Sequence, residues 1–238
     1  MRPYLSCCFS FLWYIILLIV IGNATTSQAA EPSCGSRNVG EIRLSNGRKI
    51  PEVSGITRRA PGDVYLVSDR TRWLHHARLA GDRWSVDRYG ISGEGFGPNG
   101  EGIYDIEDVA YGPCPVKSEG RCICIGEIGG NPGGKNVFDI HYIREGDLAG
   151  KRGKYVNITR IRYRYPGGWN FDAEGLAVHP RTGELFVVTK TRASPSYIYK
   201  MDPRFPERPP TRAIEIDLAE LFKPPWTVKW ATWPQPSR

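Results

Sequence analysis

Three short segments carry an acid at the first position and a branched apolar residue at the fifth: Glu52-Val-Ser-Gly-Ile56, Asp105-Ile-Glu-Asp-Val109 and Asp172-Ala-Glu-Gly-Leu176. If the fold brings these starts together, Asp105, Glu107, Asp108, Asp172 and Glu174 converge, with Glu52, Asp69, Glu127 and Asn131 as further oxygen donors. Carboxylates held close repel one another and rise in pKa unless a cation compensates, and hard oxygen ligands suit Ca²⁺ better than zinc. The predicted ligand set is Asp105, Glu107, Asp108, Glu127, Asn131, Asp172 and Glu174. A hydrolytic version has Ca²⁺ polarising an ester, lactone or phosphate oxygen while Glu107 or Glu174 acts on water. The plainer reading has these acids capping strands, bonding backbone amides and lining a wet channel. No Gly-x-Ser-x-Gly elbow, His-Glu-x-x-His or P-loop occurs. His75 and His76 lie in a strand pattern and point to opposite faces, so at most one reaches a channel. His141 and His179 are singletons, and all four histidines read as ordinary packed or exposed residues.

The elements that must position these acids are strands. Short aromatic and β-branched runs bounded by Gly, Pro, Asn and Asp recur along the chain, and no stretch before about residue 213 sustains a helical apolar face. Each acidic start is followed by a strand ending in a polar residue: Val64–Asp69, Cys122–Glu127 and Leu185–Lys190. A third strand follows each, at Trp73–Leu79, Val137–Ile143 and Ser196–Met201, and fourth pieces follow the first two, around Trp84–Tyr89 and Val156–Tyr165. Sets of four strands repeating every ~50 to 70 residues fit an all-β propeller of four-stranded blades, whose first strands line a central channel. A β-sandwich explains the strands but not the repeated acidic starts.

Residues 9 to 22 form an apolar run of signal-peptide length, shorter than the roughly 20 residues of a membrane span. Ser27-Gln28-Ala29 offers small residues where a signal peptidase reads, so residues 1–29 are expected to be a cleaved signal. The protein is then secreted or periplasmic, with no stable membrane span; an uncleaved signal anchor is the alternative. Cys34, Cys114, Cys122 and Cys124 remain, an even number in a chain bound for an oxidising compartment. Cys114 and Cys122 flank a loop between two strand-like runs, which predicts a bridge between them and leaves Cys34 with Cys124. Zinc is disfavoured, because Cys122-x-Cys124 lacks the usual knuckle spacing and no His lies nearby. Asn157-Ile158-Thr159 is a glycosylation sequon, meaningful in a eukaryotic host.

The net charge of the 238-residue chain is +7, a mild excess, and nucleic acid is not an expected partner without a recognition motif. Arg160, Arg162 and Arg164 alternate with Ile161, Tyr163 and Tyr165, placing three guanidinium groups on one strand face. That face is either solvated or a surface for an anionic ligand; Lys151, Arg152 and Lys154 precede it. The blades are expected over residues 30–201. Residues 202–238 form a Pro- and Trp-rich tail with a short helical pattern at Ile216–Phe222 and large aromatics at Trp226, Trp230 and Trp233. Three blades are fewer than the four that normally close a propeller, which predicts an incomplete or truncated one.

The ordered motifs Glu52-x-Ser-Gly, Asp105-Ile-Glu-Asp-Val-Ala110, Ile125-Gly-Glu-Ile-Gly-Gly-Asn131, Asp172-Ala-Glu-Gly-Leu-Ala-Val178 and Leu185–Lys190 resemble the exported phytase-like and SdiA-regulated β-propellers. The resemblance covers residues 52 to 201. In that group the second motif usually reads Asp-Trp-Glu-Asp and the third Gly-Asp-Ile-Gly-Asp-Asn. Here Ile106 replaces the Trp, Glu127 the first Asp of the third motif and Gly130 its second, which removes one ligand. The axial acids are also similar in type to those of calcium-dependent lactonase propellers. The resemblance implies a fold more directly than an activity. The expected role is Ca²⁺-stabilised binding of a small-molecule or polymer ligand, with Ca²⁺-dependent hydrolysis as the alternative.

Overall fold

A computed structural model describes residues 40–93, 105–116, 120–130, 137–168, 170–190, 195–205 and 208–216, the last four without their side chains. The expected signal segment, Cys34, Asn131 and the tail beyond residue 216, including Trp226, Trp230 and Trp233, lie outside the described residues.

Among the described residues, twelve strands run in three consecutive antiparallel sets of four. The first holds β1 (Val53–Ala60), β2 (Asp63–Ser68), β3 (Thr71–Ala80) and β4 (Arg83–Gly93). The second holds β5 (Asp108–Pro113), β6 (Arg121–Glu127), β7 (Val137–Arg144) and β8 (Tyr155–Arg164). The third holds β9 (Asp172–Val178), β10 (Leu185–Lys190), β11 (Ser196–Met201) and β12 (Thr211–Ile216). Tight turns make the β1–β2 and β3–β4 hairpins possible, with Gly62 and Gly81 at positive φ where a side chain would be strained.

The expectation of an all-β chain holds, but the hydrogen bonding does not separate three independent blades. Residues Tyr155–Ile158 of β8 pair in parallel with Gly90–Gly93 of β4, while Thr159–Arg164 pairs with β7. The first two sets thereby merge into one mixed eight-stranded sheet, β1-β2-β3-β4-β8-β7-β6-β5. Its two edges curl back toward each other. A Cβ added at Gly55 of β1 would lie 2.6 Å from the Asp108 Cα of β5, an approach only glycine permits. The third set forms its own sheet, and Gly112 of β5 lies against the Val178 side chain of β9.

The middle set is covered on both faces. Ile123 and Ile125 join Val67, Leu74 and Ile91 of the first set in one core, while Cys122 and Cys124 join Leu176, Leu185 and Val187 of the third in another. Every residue of β6 after Arg121 is buried, which explains its nearly unbroken apolar sequence. Burying such a side chain contributes roughly 1.5 to 3 kcal/mol, so these two cores anchor the strand ends that carry the polar groups.

Strand β12 lies beyond the expected boundary at residue 201 and gives the third sheet its fourth strand; Ile216, the first residue of the expected helix, is its last. The Cys114–Cys122 disulfide is present and closes the β5–β6 hairpin. Cys124 is a free thiol among the described residues, and its expected partner Cys34 lies outside them. The Cys124 side chain is fully buried in the apolar core, and burial pushes its pKa up to about 12.

Candidate metal centre

The repeated acidic starts share a backbone feature. In β1 the register moves from Val53↔Ser68 to Gly55↔Val67, and in β9 from Gly175↔Val188 to Ala173↔Thr189, so Ser54 and Glu174 are each an extra residue on the bulged strand. At β5 the Glu107 N–H donates to Gly126 O at 2.9 Å, although Gly126 is already the partner of Asp108. Such bulges break the strict alternation of a strand and re-aim a side chain. Two of the three re-aimed positions are glutamates, and these two meet.

Glu107, Asp172 and Glu174 offer carboxylate oxygens within 4.8 Å of one another, a group able to hold a metal ion. Asp105 faces the same place. A Cβ built on Gly129 would collide with Glu107 Oε1 and would lie 2.6 Å from Asp105 Oδ2, so this glycine leaves the carboxylates their room. The next residue, Gly130, donates its N–H to Asp172 Oδ1 at 3.1 Å. Any side chain at 130 would meet the Phe171 carbonyl oxygen at 2.6 Å. The Gly130 departure from the resembled motif therefore reflects a close backbone crossing.

Among the described residues, one cation stands at the edge of this cluster. Lys190, the cross-strand partner of Asp172, places Nζ 2.6 Å from Glu174 Oε1 and 3.7 Å from Asp172 Oδ2. Burial and then the neighbouring Asp105 and Glu174 carboxylates push Glu107 up to about 8.

The other expected ligands lie elsewhere. Asp108 accepts hydrogen bonds from Val109 N at 2.8 Å and Leu176 N at 2.7 Å, tying β5 to β9. Burial raises its pKa against the pull of those two amides. This is the amide-bonding role of the plainer sequence reading. Glu52, at a positive φ of 38°, forms an exposed ion pair with Arg70 at 2.7 Å and does not join the cluster. Glu127 belongs to a second group able to hold a metal ion, with Asp139 and His141 of β7, all three buried. Its Oε2 lies 3.4 Å from His141 Nε2. There a cationic partner is already in place, because Arg162 forks onto both Asp139 oxygens at 2.8 and 2.7 Å. That fork also occupies one of the three guanidinium groups considered for an anionic surface.

Neither Lys190 nor Asp139 is a candidate in the sequence, and His141 reads there as an ordinary singleton. Asp139 and His141 are two residues apart on a strand and so share a face, a signal that was legible. Lys190 becomes visible only once the β9–β10 register is known.

No family model, curated protein or solved structure matches this chain. Among the described residues no helix is long and apolar enough to cross a membrane.

Proposed function

We propose that the protein is an exported, propeller-like binding protein whose second and third strand sets are clamped by a divalent cation, Ca²⁺ by ligand type, at Asp105, Glu107, Asp172 and Glu174. The observation that carries this reading is the convergence itself: Glu107, Asp172 and Glu174 offer oxygens within 4.8 Å of one another, Asp105 faces the same place, and Lys190 is the ammonium beside them among the described residues. Oxygen-only donors of mixed exposure suit a hard cation that retains some water. The resemblance of the motif order to the phytase-like propellers supports the same fold and the same end of the strands as the site.

The test is calorimetric. Titrating Ca²⁺ into the EDTA-treated chain is expected to raise the melting temperature; a concentration of about 100 times Kd adds about 2.7 kcal/mol. Asp172→Asn combined with Glu174→Gln should remove the response. An unchanged melting temperature in the wild type overturns the metal reading.

The hydrolytic alternative is favoured by one feature: Glu107 and Glu174 face each other across the cluster, where one can ligate while the other acts on water. Turnover of ester, lactone or phosphate substrates that needs Ca²⁺ and disappears in Glu107→Gln supports it. A Ca²⁺-stabilised protein without turnover leaves the binding role.

A further inference from the structure

The strongest polar construction outside the acidic cluster lies at the opposite end of β5. A cleft of about 530 Å³ opens at the mouth of the curled eight-stranded sheet, between the first strand set and the Glu145–Gly150 turn. Along it runs a continuous chain of hydrogen bonds. Tyr111 donates to Glu145 Oε2 at 2.7 Å, and Glu145 also pairs with Arg59. Arg59 reaches Asp63 at 2.9 Å, and Asp63 Oδ1 lies 2.6 Å from His76 Nε2. Arg78 Nη1 meets His76 Nδ1 at 3.2 Å. A guanidinium has only donors, so Nδ1 accepts and the ring proton sits on Nε2, facing Asp63. Arg78 then pairs with Asp87, whose other oxygen takes Arg152 at 2.6 Å.

We infer that this cleft is a binding site for an uncharged polyhydroxylated ligand, a saccharide. Three guanidinium groups alternate with three carboxylates, so the lining has no net sign to attract an ion. An anion placed against any arginine also meets Asp63, Asp87 or Glu145, and a cation meets the arginines. A hydroxyl group donates and accepts at once, and adjacent hydroxyls on a sugar ring can bridge an arginine and its carboxylate side by side.

The lining is preorganised for this. Asp87 and His76 are each under one-tenth exposed and are held by partners on either side. A guanidinium has five donors, of which the contacts described above use two on Arg59, two on Arg78 and one on Arg152. Fixed polar groups of this kind reduce the ordering cost of binding. The mouth of a closed or curled sheet is a usual place for such a site.

The test uses the full chain and saturation-transfer NMR with glucose, galactose, N-acetylglucosamine and cellobiose, beside inorganic phosphate and spermidine as charged controls. At least one neutral saccharide is expected to bind in the millimolar range. Arg152→Ala, a surface change whose fold is checked by circular dichroism, should weaken that binding about tenfold. Arg204→Ala, which removes an exposed ion pair with Asp202 on the third strand set, should leave it unchanged. Absence of binding by all four saccharides, tighter binding of phosphate or spermidine, or an Arg152→Ala variant that binds as well as the wild type overturns the inference.

Discussion

Strand β5 has two polar ends, and they are built on opposite principles. At its start, Asp105 and Glu107 join Asp172 and Glu174, with Lys190 as the ammonium beside them among the described residues. At its far end, Tyr111 enters a chain in which every carboxylate has an arginine and every arginine a carboxylate. The apolar residues between them, Val109 and Ala110, are buried in separate cores on the two faces of the strand. A concentration of one sign of charge is a preparation for something that supplies the other sign. A balanced chain is complete as it stands and offers only hydrogen bonds. The same scaffold therefore separates the proposed ion site from the polar cleft by charge arrangement alone.

The sharpest way to break this contrast is to remove one carboxylate from each end. Asp87→Ala strips both Arg78 and Arg152 of their partner beside a carboxylate that is only 8% exposed. The charge-assisted bonds that Asp87 accepts are lost, while the arginines left behind, 38% and 72% exposed, regain water, so a loss of about 2 kcal/mol is expected in urea denaturation. Glu174→Gln also costs Lys190 its closest partner, but both groups are exposed and one like charge leaves a crowded cluster. In EDTA that change should stay within about 0.5 kcal/mol of wild type. Equal losses at the two sites would show that the acidic cluster is as structurally complete as the chain.

A third buried polar group has neither arrangement and sharpens the contrast further. His75 lies on β3 beside His76 but on the opposite face, only 2% exposed, and neither ring nitrogen has a hydrogen-bond partner among the described residues. Burial, and then the Arg88 charge, lowers its pKa to about 4. The unfolded chain therefore binds a proton near pH 6.5 that the folded chain refuses. Stability attributable to His75 is complete above pH 6.5 and falls as the pH drops toward 4, by about 2 to 3 kcal/mol. His75→Leu should remove that part of the acid loss. Parallel stability curves for the two proteins between pH 4 and 7 would show that the imidazole finds a partner on protonation.

The repeat was legible because its physical cause is local. A bulge needs an extra residue at a fixed place, and Ser54, Glu107 and Glu174 occupy equivalent places in the three acidic starts. Strands β1 to β11 could be read from alternation and turn residues; β12 could not, because Pro209 and Pro210 precede it and its sequence merges with the tail. What no spacing could reveal is partnership across the sheet. Asp108 bonds Leu176 N at 2.7 Å, and Glu127 joins Asp139 and His141 in a second group able to hold a metal ion, apart from the acidic starts. The parallel β4–β8 pairing was equally hidden, because it joins residues more than sixty positions apart. The arginine and carboxylate chain draws on all four strands of the first set and the turn after β7, so its members show no sequence periodicity.

A single hydroxyl tests whether the balanced chain is continuous. The Tyr111 hydroxyl donates to Glu145, which burial pushes upward in pKa but which Tyr111 and Arg59 together hold below the usual glutamate range. A carboxylate lowered on folding contributes stability that is present above its unfolded pKa of about 4.5 and lost as the pH falls through the folded value. Tyr111→Phe removes one charge-assisted bond and should cost about 1 kcal/mol at neutral pH. Because the bond exists only while Glu145 is ionised, the cost should shrink as Glu145 protonates, and the two acid-denaturation curves should converge at low pH. The ion cluster at the other end of β5 gives the control: the Ca²⁺-induced rise in melting temperature should be the same in Tyr111→Phe as in the wild type. A weakened Ca²⁺ response would mean that the two ends of the strand are coupled through its buried middle.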